Sequence, residues 1–161
     1  MSSHTQRVVH AAGRTLTLTT RALDRLHDHV VSGFPHEVVG ILAGDRAIGT
    51  VTRAVPLENT SAEDTARRYR VDGLLLHRTE QSLQADGLDV LGYYHSHPDH
   101  PAMYSDTDRD QALPATSYVI AAVQGATPDG TPARVVDVRA WRLKDDRSEM
   151  LAEDLVILPS S

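Results

Sequence analysis

The segment Leu88–His97 constrains the fold more than any other part of the chain. Its first half is nearly all apolar, and its second half reads Tyr93-Tyr94-His95-Ser96-His97 before Pro98. A continuous apolar run of this length is typical of a strand at the centre of a sheet that is covered on both faces. Such a strand needs neighbours on both edges and helices or loops over both faces. We therefore predict an α/β (α+β) domain with a mixed β-sheet, two main flanking helices and a short third helix.

The other elements are predicted from apolar periodicity, capping residues and turn residues. In chain order they are a strand at Thr15–Thr19, a helix at Arg21–Ser32 capped by Thr20, a hairpin of strands Glu37–Ala43 and Ile48–Pro56, a helix at Gly73–Ala85 capped by Asp72, a short helix from Ser105 to about Leu113, and strands Ser117–Val123 and Val135–Leu143. The tail, Glu149–Leu158, fits a helix or a strand. His27 and His29 fall among the polar positions of the first helix, so we expect both to face solvent.

Length and composition restrict the class of protein. A chain of 161 residues fits one domain, expected over residues 14–161 after a flexible N-terminus at residues 1–13. The net charge of −6 argues against a general nucleic-acid binder. The chain has no cysteine, so a metal ion would have to be held by His, Asp or Glu. The sequence shows no apolar run typical of a signal peptide or a membrane span, which favours the cytoplasm.

A metal site is indicated by the end of the central strand and the loop after it. His95 and His97 are two residues apart, so on a strand both imidazoles point to the same side and can reach one ion, whereas Ser96 points away. Asp108, in Ser105-Asp106-Thr107-Asp108, follows a loop long enough to fold back towards them. Two imidazoles and one carboxylate leave the fourth position of a tetrahedral zinc ion for water, which is typical of catalytic zinc.

A zinc site that activates water also needs a general base. Glu37 is the best candidate, because its predicted strand could lie beside the strand that carries the histidines. The segment His36-Glu37-Val38-Val39-Gly40 is one residue short of His-Glu-x-x-His, so the helical zinc-protease motif is absent. His36 is expected to point to the opposite face from Glu37.

Each of these features also has a simpler interpretation. Ser105-x-x-Asp108 is an ordinary way to cap a helix. A lone His-x-His pair also occurs in cupins, although no Glu follows this one before Glu149. His100 is a competing ligand, but it lies in a proline-flanked loop, where histidines are usually solvated.

Taken together, Glu37, His95, His97, Ser105 and Asp108 match the signature of the JAMM/MPN+ zinc metalloproteases, which the chain resembles. The signature is an upstream Glu, then His-x-His, seven residues, Ser, two residues and Asp. The resemblance implies the cytidine-deaminase-like MPN fold and one zinc ion on His95, His97 and Asp108. It also implies that Glu37 acts as general acid/base, and that Ser105 stabilises the tetrahedral intermediate.

The chain is most similar to the small stand-alone prokaryotic members of this family, because Asp108 and the strand at Ser117 are too close for a long insertion. The resemblance implies cleavage of a peptide or isopeptide bond after the C-terminal Gly-Gly of a ubiquitin-like or sulfur-carrier protein, for example releasing cysteine or trimming a tail. The polar loop at residues 57–70 is a candidate wall of the substrate groove, with Glu58, Asn59, Arg68 and Tyr69 as possible contacts. The alternatives are a non-catalytic MPN-type scaffold and a RadC-like DNA-associated protein.

Overall fold

The computed structural model describes residue 8, residues 10–59 and residues 72–159. Residues 1–7 and 9 of the expected flexible N-terminus, and most of the polar loop, lie outside the described residues. The strands are β1 (His10–Thr19), β2 (Val39–Asp45), β3 (Thr50–Leu57), β4 (Asp89–Pro98), β5 (Ser117–Gln124), β6 (Arg134–Leu143) and β7 (Met150–Leu158), and the helices are α1 (Thr20–Gly33), α2 (Gly73–Ala85) and α3 (Asp106–Gln111).

The strands form one mixed sheet that closes into a barrel. Their order is β1-β3-β2-β4-β5-β6-β7, and β7 pairs in parallel with β1 to close the ring. Strand β4 pairs with β2 in antiparallel and with β5 in parallel, so it has a neighbour on both edges as predicted. The predicted α+β fold is confirmed. The tail that fitted either type of element is strand β7.

Helix α1 packs against one side of the sheet and shapes the larger core. Its buried residues Ala22, Leu26 and Val30 contact apolar side chains from β1, β3, β4 and β5. The predicted cap was wrong by one residue: Thr19, not Thr20, accepts the hydrogen bond from the backbone N–H of Ala22.

The expectation that His27 and His29 face solvent was also wrong. Nδ1 of His29 lies 2.6 Å from the hydroxyl of Tyr94, which is fully buried. Nε2 of His27 is buried. The sheet curls around α1, so positions that would be solvated on a helix over a flat sheet are half-buried here. Burial lowers the pKa of both imidazoles.

The opposite side of the sheet carries α2 and α3. The cap of α2 is Asp72, as predicted, and Leu83 is its buried residue. Helix α3 has no buried residue and is positioned by its ends and by the loop before it. In the described part of the chain, no helix is long and apolar enough to cross a membrane.

Candidate metal centre

The centre is built on the C-terminal end of β4. His95 and His97 are both buried and lie on the same face of the strand, with their ring centroids 5.0 Å apart. Ser96, between them, faces the other way, and its hydroxyl accepts a hydrogen bond from the backbone N–H of Val38 at 2.9 Å. The alternation of a strand therefore places two imidazoles together, as expected from the sequence.

Asp108 joins the two histidines from helix α3. Its Oδ1 lies 3.2 Å from Nε2 of His95, and its Oδ2 lies 3.3 Å from Nε2 of His97. A capping box fixes it there: the backbone N–H of Ser105 donates to Oδ2 of Asp108 at 2.8 Å, and the N–H of Asp108 donates to Oγ of Ser105 at 3.0 Å. The interpretation of this segment as a helix cap is confirmed, and the same cap places Asp108 next to the two histidines.

The three side chains offer one ligand atom each within 4.8 Å of one another, which is close enough to hold a single metal ion. The two Nε2 atoms are 3.2 Å apart, and each lies 3.2–3.3 Å from an oxygen of the Asp108 carboxylate, Oδ1 for His95 and Oδ2 for His97. Ligand atoms at 2.0–2.1 Å from a tetrahedral zinc ion are themselves about 3.3 Å apart. Nδ1 of His97 lies 2.9 Å from the carbonyl oxygen of Pro101, and donation to that oxygen leaves the lone pair of Nε2 directed at the centre. Among the described residues these three form the cluster that can hold a metal ion.

The electrostatics of the cluster keep the aspartate ionised. Burial alone would raise the pKa of Asp108, but hydrogen bonds with His95 and His97 outweigh burial and hold that pKa far below its ordinary value. Burial lowers the pKa of His97, whereas Asp108, the carbonyl of Pro101 and the charge of Glu37 raise it, and the net effect is a raised pKa. Without metal, His97 therefore retains a proton to a higher pH than an ordinary histidine.

Glu37 lies at the entry to strand β2 and is buried. Val39 pairs with His95, and Val38 exchanges hydrogen bonds with Ser96, so the same register places Glu37 opposite His97. Side chains directly opposite on antiparallel strands share a face. The influence of Glu37 on the pKa of His97 agrees with this placement. Its backbone carbonyl accepts a hydrogen bond from Nδ2 of Asn59 at 2.9 Å, which ties the start of the polar loop to this residue.

The remaining predicted site residues are distributed as follows. Ser105 is exposed beside Asp108; its Oγ accepts the capping hydrogen bond, and its own proton remains available for donation. Glu58 is exposed, and Arg68 and Tyr69 lie outside the described residues. His36 and His100 are exposed and are not part of the metal-binding cluster.

Two supporting residues were not identified as site residues from the sequence. Nε1 of Trp141 donates to the carbonyl of Ala102 at 3.0 Å and so anchors the loop between His97 and α3. The hydroxyl of Tyr118 accepts from the N–H of Leu113, just after α3, at 2.7 Å. A cavity of about 20 Å³, which has room for about one water molecule, lies beside the cluster and is lined by His95, Asp108, Gln111, Tyr118, Ile120 and Met150.

Residues 19–144 match the family described as prokaryotic homologs of the JAB domain. The chain is 36% identical over 120 residues to a desampylase of Haloferax volcanii, a match that covers 71% of this chain and 82% of the relative. It is 32% identical over 128 residues to a probable TtuB-protein conjugate cleaving protease of Thermus thermophilus, covering 77% of this chain and 84% of the relative.

Solved structures share the fold. A protein from Desulfitobacterium hafniense superimposes with a TM-score of 0.72 at 26% identity, covering 90% of this chain and 94% of that one. A JAB1/MPN domain protein from Archaeoglobus fulgidus superimposes with a TM-score of 0.54 over 91% of this chain and 100% of that one; at 14% identity, this likeness concerns the fold alone.

Proposed function

The chain belongs to the family of prokaryotic homologues of the JAB domain, and from that premise we propose that it is a zinc-dependent hydrolase of ubiquitin-like conjugates. The bond cleaved is a peptide or isopeptide bond after the C-terminal Gly-Gly of a ubiquitin-like or sulfur-carrier protein. The observation that supports this most strongly is the cluster of His95, His97 and Asp108, whose ligand atoms, one from each residue, lie within 4.8 Å of one another.

Zinc is the metal that we propose for this set of donors. Imidazole and carboxylate are both common zinc ligands, and three protein ligands leave one position for water or substrate. When bound, zinc supplies Lewis-acid activation of water and of the scissile carbonyl. The protein holds the ligands in place before metal binds, because the capping box orients Asp108 and the carbonyl of Pro101 orients His97.

Glu37 is proposed as the group that moves the proton. It shares a face with His97 and lies in a buried position, where a carboxylate can accept a proton from the attacking water and deliver it to the leaving amine. The hydrogen bond from Asn59 to the backbone carbonyl of Glu37 holds the segment that carries this side chain.

Ser105 is proposed to stabilise the transition state. Its oxygen is held by the N–H of Asp108, so its O–H can be directed at the oxyanion that develops on the scissile carbonyl. Because the capping box joins Ser105 and Asp108, the hydrogen-bond donor and the metal ligand move together.

The substrate class is proposed from the two relatives. One is named a desampylase and the other a probable TtuB-protein conjugate cleaving protease, which are names for enzymes that act on protein conjugates. The C-terminal tail of the substrate would bind in an extended form, with the loop at residues 57–70, including Glu58, Asn59, Arg68 and Tyr69, as one wall of the substrate groove.

We further propose a single domain over residues 14–161, a cytoplasmic location, and no membrane or nucleic-acid partner.

The proposal is tested with candidate sulfur-carrier proteins that bear C-terminal extensions beyond Gly-Gly. Zinc-loaded protein should shorten these carriers to the mass that ends at Gly-Gly, as measured by intact mass spectrometry. Glu37→Gln should abolish cleavage while zinc content stays at one ion per chain. His36→Gln, a change at the exposed neighbouring residue, is the matched control and should cleave normally. Cleavage that persists in Glu37→Gln would remove Glu37 from the mechanism, and no cleavage of any Gly-Gly carrier would remove the proposed substrate class.

A further inference from the structure

Strand β3 has a free edge on the side of α1. β1 pairs with β3 only through Thr17 with Thr50 and Leu18 with Val51, because β1 ends at Thr19 and the chain turns into α1. From residue 52 to residue 56, β3 pairs with β2 along its other edge. Among the described residues, no strand pairs with residues 52–56 on the edge that faces away from β2.

A groove runs between this edge and the first turns of α1. Its volume is about 570 Å³, which is within the usual range of ligand-binding clefts. Ala22 and Ala54 contribute small side chains to it, and both are buried. A single extended peptide strand needs about 4.8 Å of lateral room beside the strand that it joins. The groove therefore combines a stretch of strand edge without a partner strand and a volume that can admit a peptide segment.

The groove is positively charged in an otherwise acidic protein. The described residues that line it include the basic residues Arg25 and Arg53, and none is Asp or Glu, whereas the whole chain carries −6. Arg25 is exposed and forms no ion pair in the described structure. Arg53 contacts Asp86 at 3.1 Å, but both side chains are about half exposed, and such pairs exchange readily because they contribute little free energy.

We propose that this groove binds a short, acidic, extended segment of a partner protein, which adds to the free edge of β3 as a further strand. Backbone hydrogen bonds to those residues of 52–55 whose N–H and C=O groups face away from β2 give the segment its position, and carboxylates on its alternating side chains contact Arg25 and Arg53. Pro56 has no N–H, so pairing ends there. Charged residues on a free edge disfavour unselective pairing with apolar strands, and this makes the groove selective for acidic ones.

This site is separate from the metal centre. Helix α1 packs on the face of the sheet that holds Tyr94, whereas His95 and His97 project from the opposite face of the same strand. An occupant of the groove therefore leaves the metal centre open. The groove can hold a partner or a conjugated protein near the enzyme while cleavage takes place elsewhere on the molecule.

The experiment uses a fluorescein-labelled peptide of eight residues with Glu at alternate positions and Thr or Val between them. Binding to the full chain is measured by fluorescence anisotropy, and hydrogen exchange reports on the backbone amides of residues 52–55 that face away from β2, called the edge amides. The Glu peptide should bind, and the edge amides should exchange more slowly in its presence. The same peptide with Gln in place of Glu should bind at least about tenfold more weakly, since it lacks the charges that meet the arginines. Binding should persist after zinc is removed with a chelator.

Arg25→Glu should weaken binding at least about tenfold. The matched control is Arg78→Glu, which makes the same charge change at an exposed position on α2, outside the groove, and should bind as the unmodified chain does. The proposal would be overturned if the Glu and Gln peptides bound with equal affinity, or if Arg25→Glu and Arg78→Glu weakened binding equally. It would also be overturned if the peptide left the exchange of the edge amides unchanged. So would tighter binding of a single-stranded oligonucleotide of equal charge. Cleavage of carrier proteins is measured separately, so its failure would leave the groove result intact.

Discussion

Replacing Ser105 by Ala separates two effects that the structure assigns to one side chain. The first is the cap: Oγ of Ser105 accepts from the N–H of Asp108 at 3.0 Å, and loss of such a cap costs about 1 kcal/mol. Since α3 has no buried residue, this loss acts mainly on the placement of Asp108. Zinc affinity should therefore fall about fivefold, which is the equivalent of that free energy.

The second effect is on the transition state. If the O–H of Ser105 stabilises the oxyanion, kcat at saturating zinc should fall by about 10²- to 10³-fold, far more than the cap can explain. Zinc affinity is measured by competition with a chromophoric chelator, and kcat is measured on an extended carrier protein. Ser105→Thr keeps both the cap and the hydroxyl and should restore most of each quantity. A Ser105→Ala variant whose kcat at saturating zinc equals that of the unmodified chain would refute the oxyanion role and leave the cap alone.

Two further predictions concern protonation and packing. Metal-free His97 has a raised pKa, and below that pKa zinc must displace the proton of His97 in order to bind. The affinity for zinc should therefore fall as the pH decreases through the raised pKa, by up to about tenfold per pH unit, and should be constant above it. Calorimetric titration with zinc across pH 5.5–8.5, as an approximate range, tests this sign, and affinity that rises towards acid would contradict it. Gly40→Ala would place a Cβ 2.2 Å from ring atoms of buried Tyr94 and should lower the free energy of unfolding by about 1–3 kcal/mol. Urea denaturation should show this loss, but none for Gly73→Ala, whose Cβ would meet nothing within 4 Å.

The metal cluster was predictable because its geometry follows from local rules. Alternation along a strand places His95 and His97 on one face, and a helix cap at Ser105 brings Asp108 one turn into α3. The pairing of Glu37 with His97 could be expected only as a possibility, because it depends on which strand lies beside β4. Val39 pairs with His95, which is far from it in sequence. The apolar periodicity of each strand predicts the strand itself but not its neighbour in the sheet.

The parts that sequence reasoning missed depend on the closure of the sheet. The tail is a strand because it pairs with β1, near the other end of the sequence, from Thr15 with Asp154 to Thr19 with Leu158. The tail's own sequence pattern does not contain this information, and by itself it fits a helix or a strand. The same curvature buries one face of α1 more deeply than helical periodicity indicates, which is why His29 reaches Tyr94. The free edge of β3 exists because β1 ends where α1 begins, and this is likewise a property of the topology.

The most direct test of the metal centre is a crystal structure of the zinc-loaded protein, with anomalous diffraction measured at the zinc absorption edge. We predict one zinc ion per chain, at about 2.0–2.2 Å from Nε2 of His95, Nε2 of His97 and a carboxylate oxygen of Asp108. The Glu37 carboxylate should lie near the ion without coordinating it. A zinc ion bound elsewhere, or one held by Glu37 in place of Asp108, would contradict the proposed centre and the hydrolytic mechanism that depends on it.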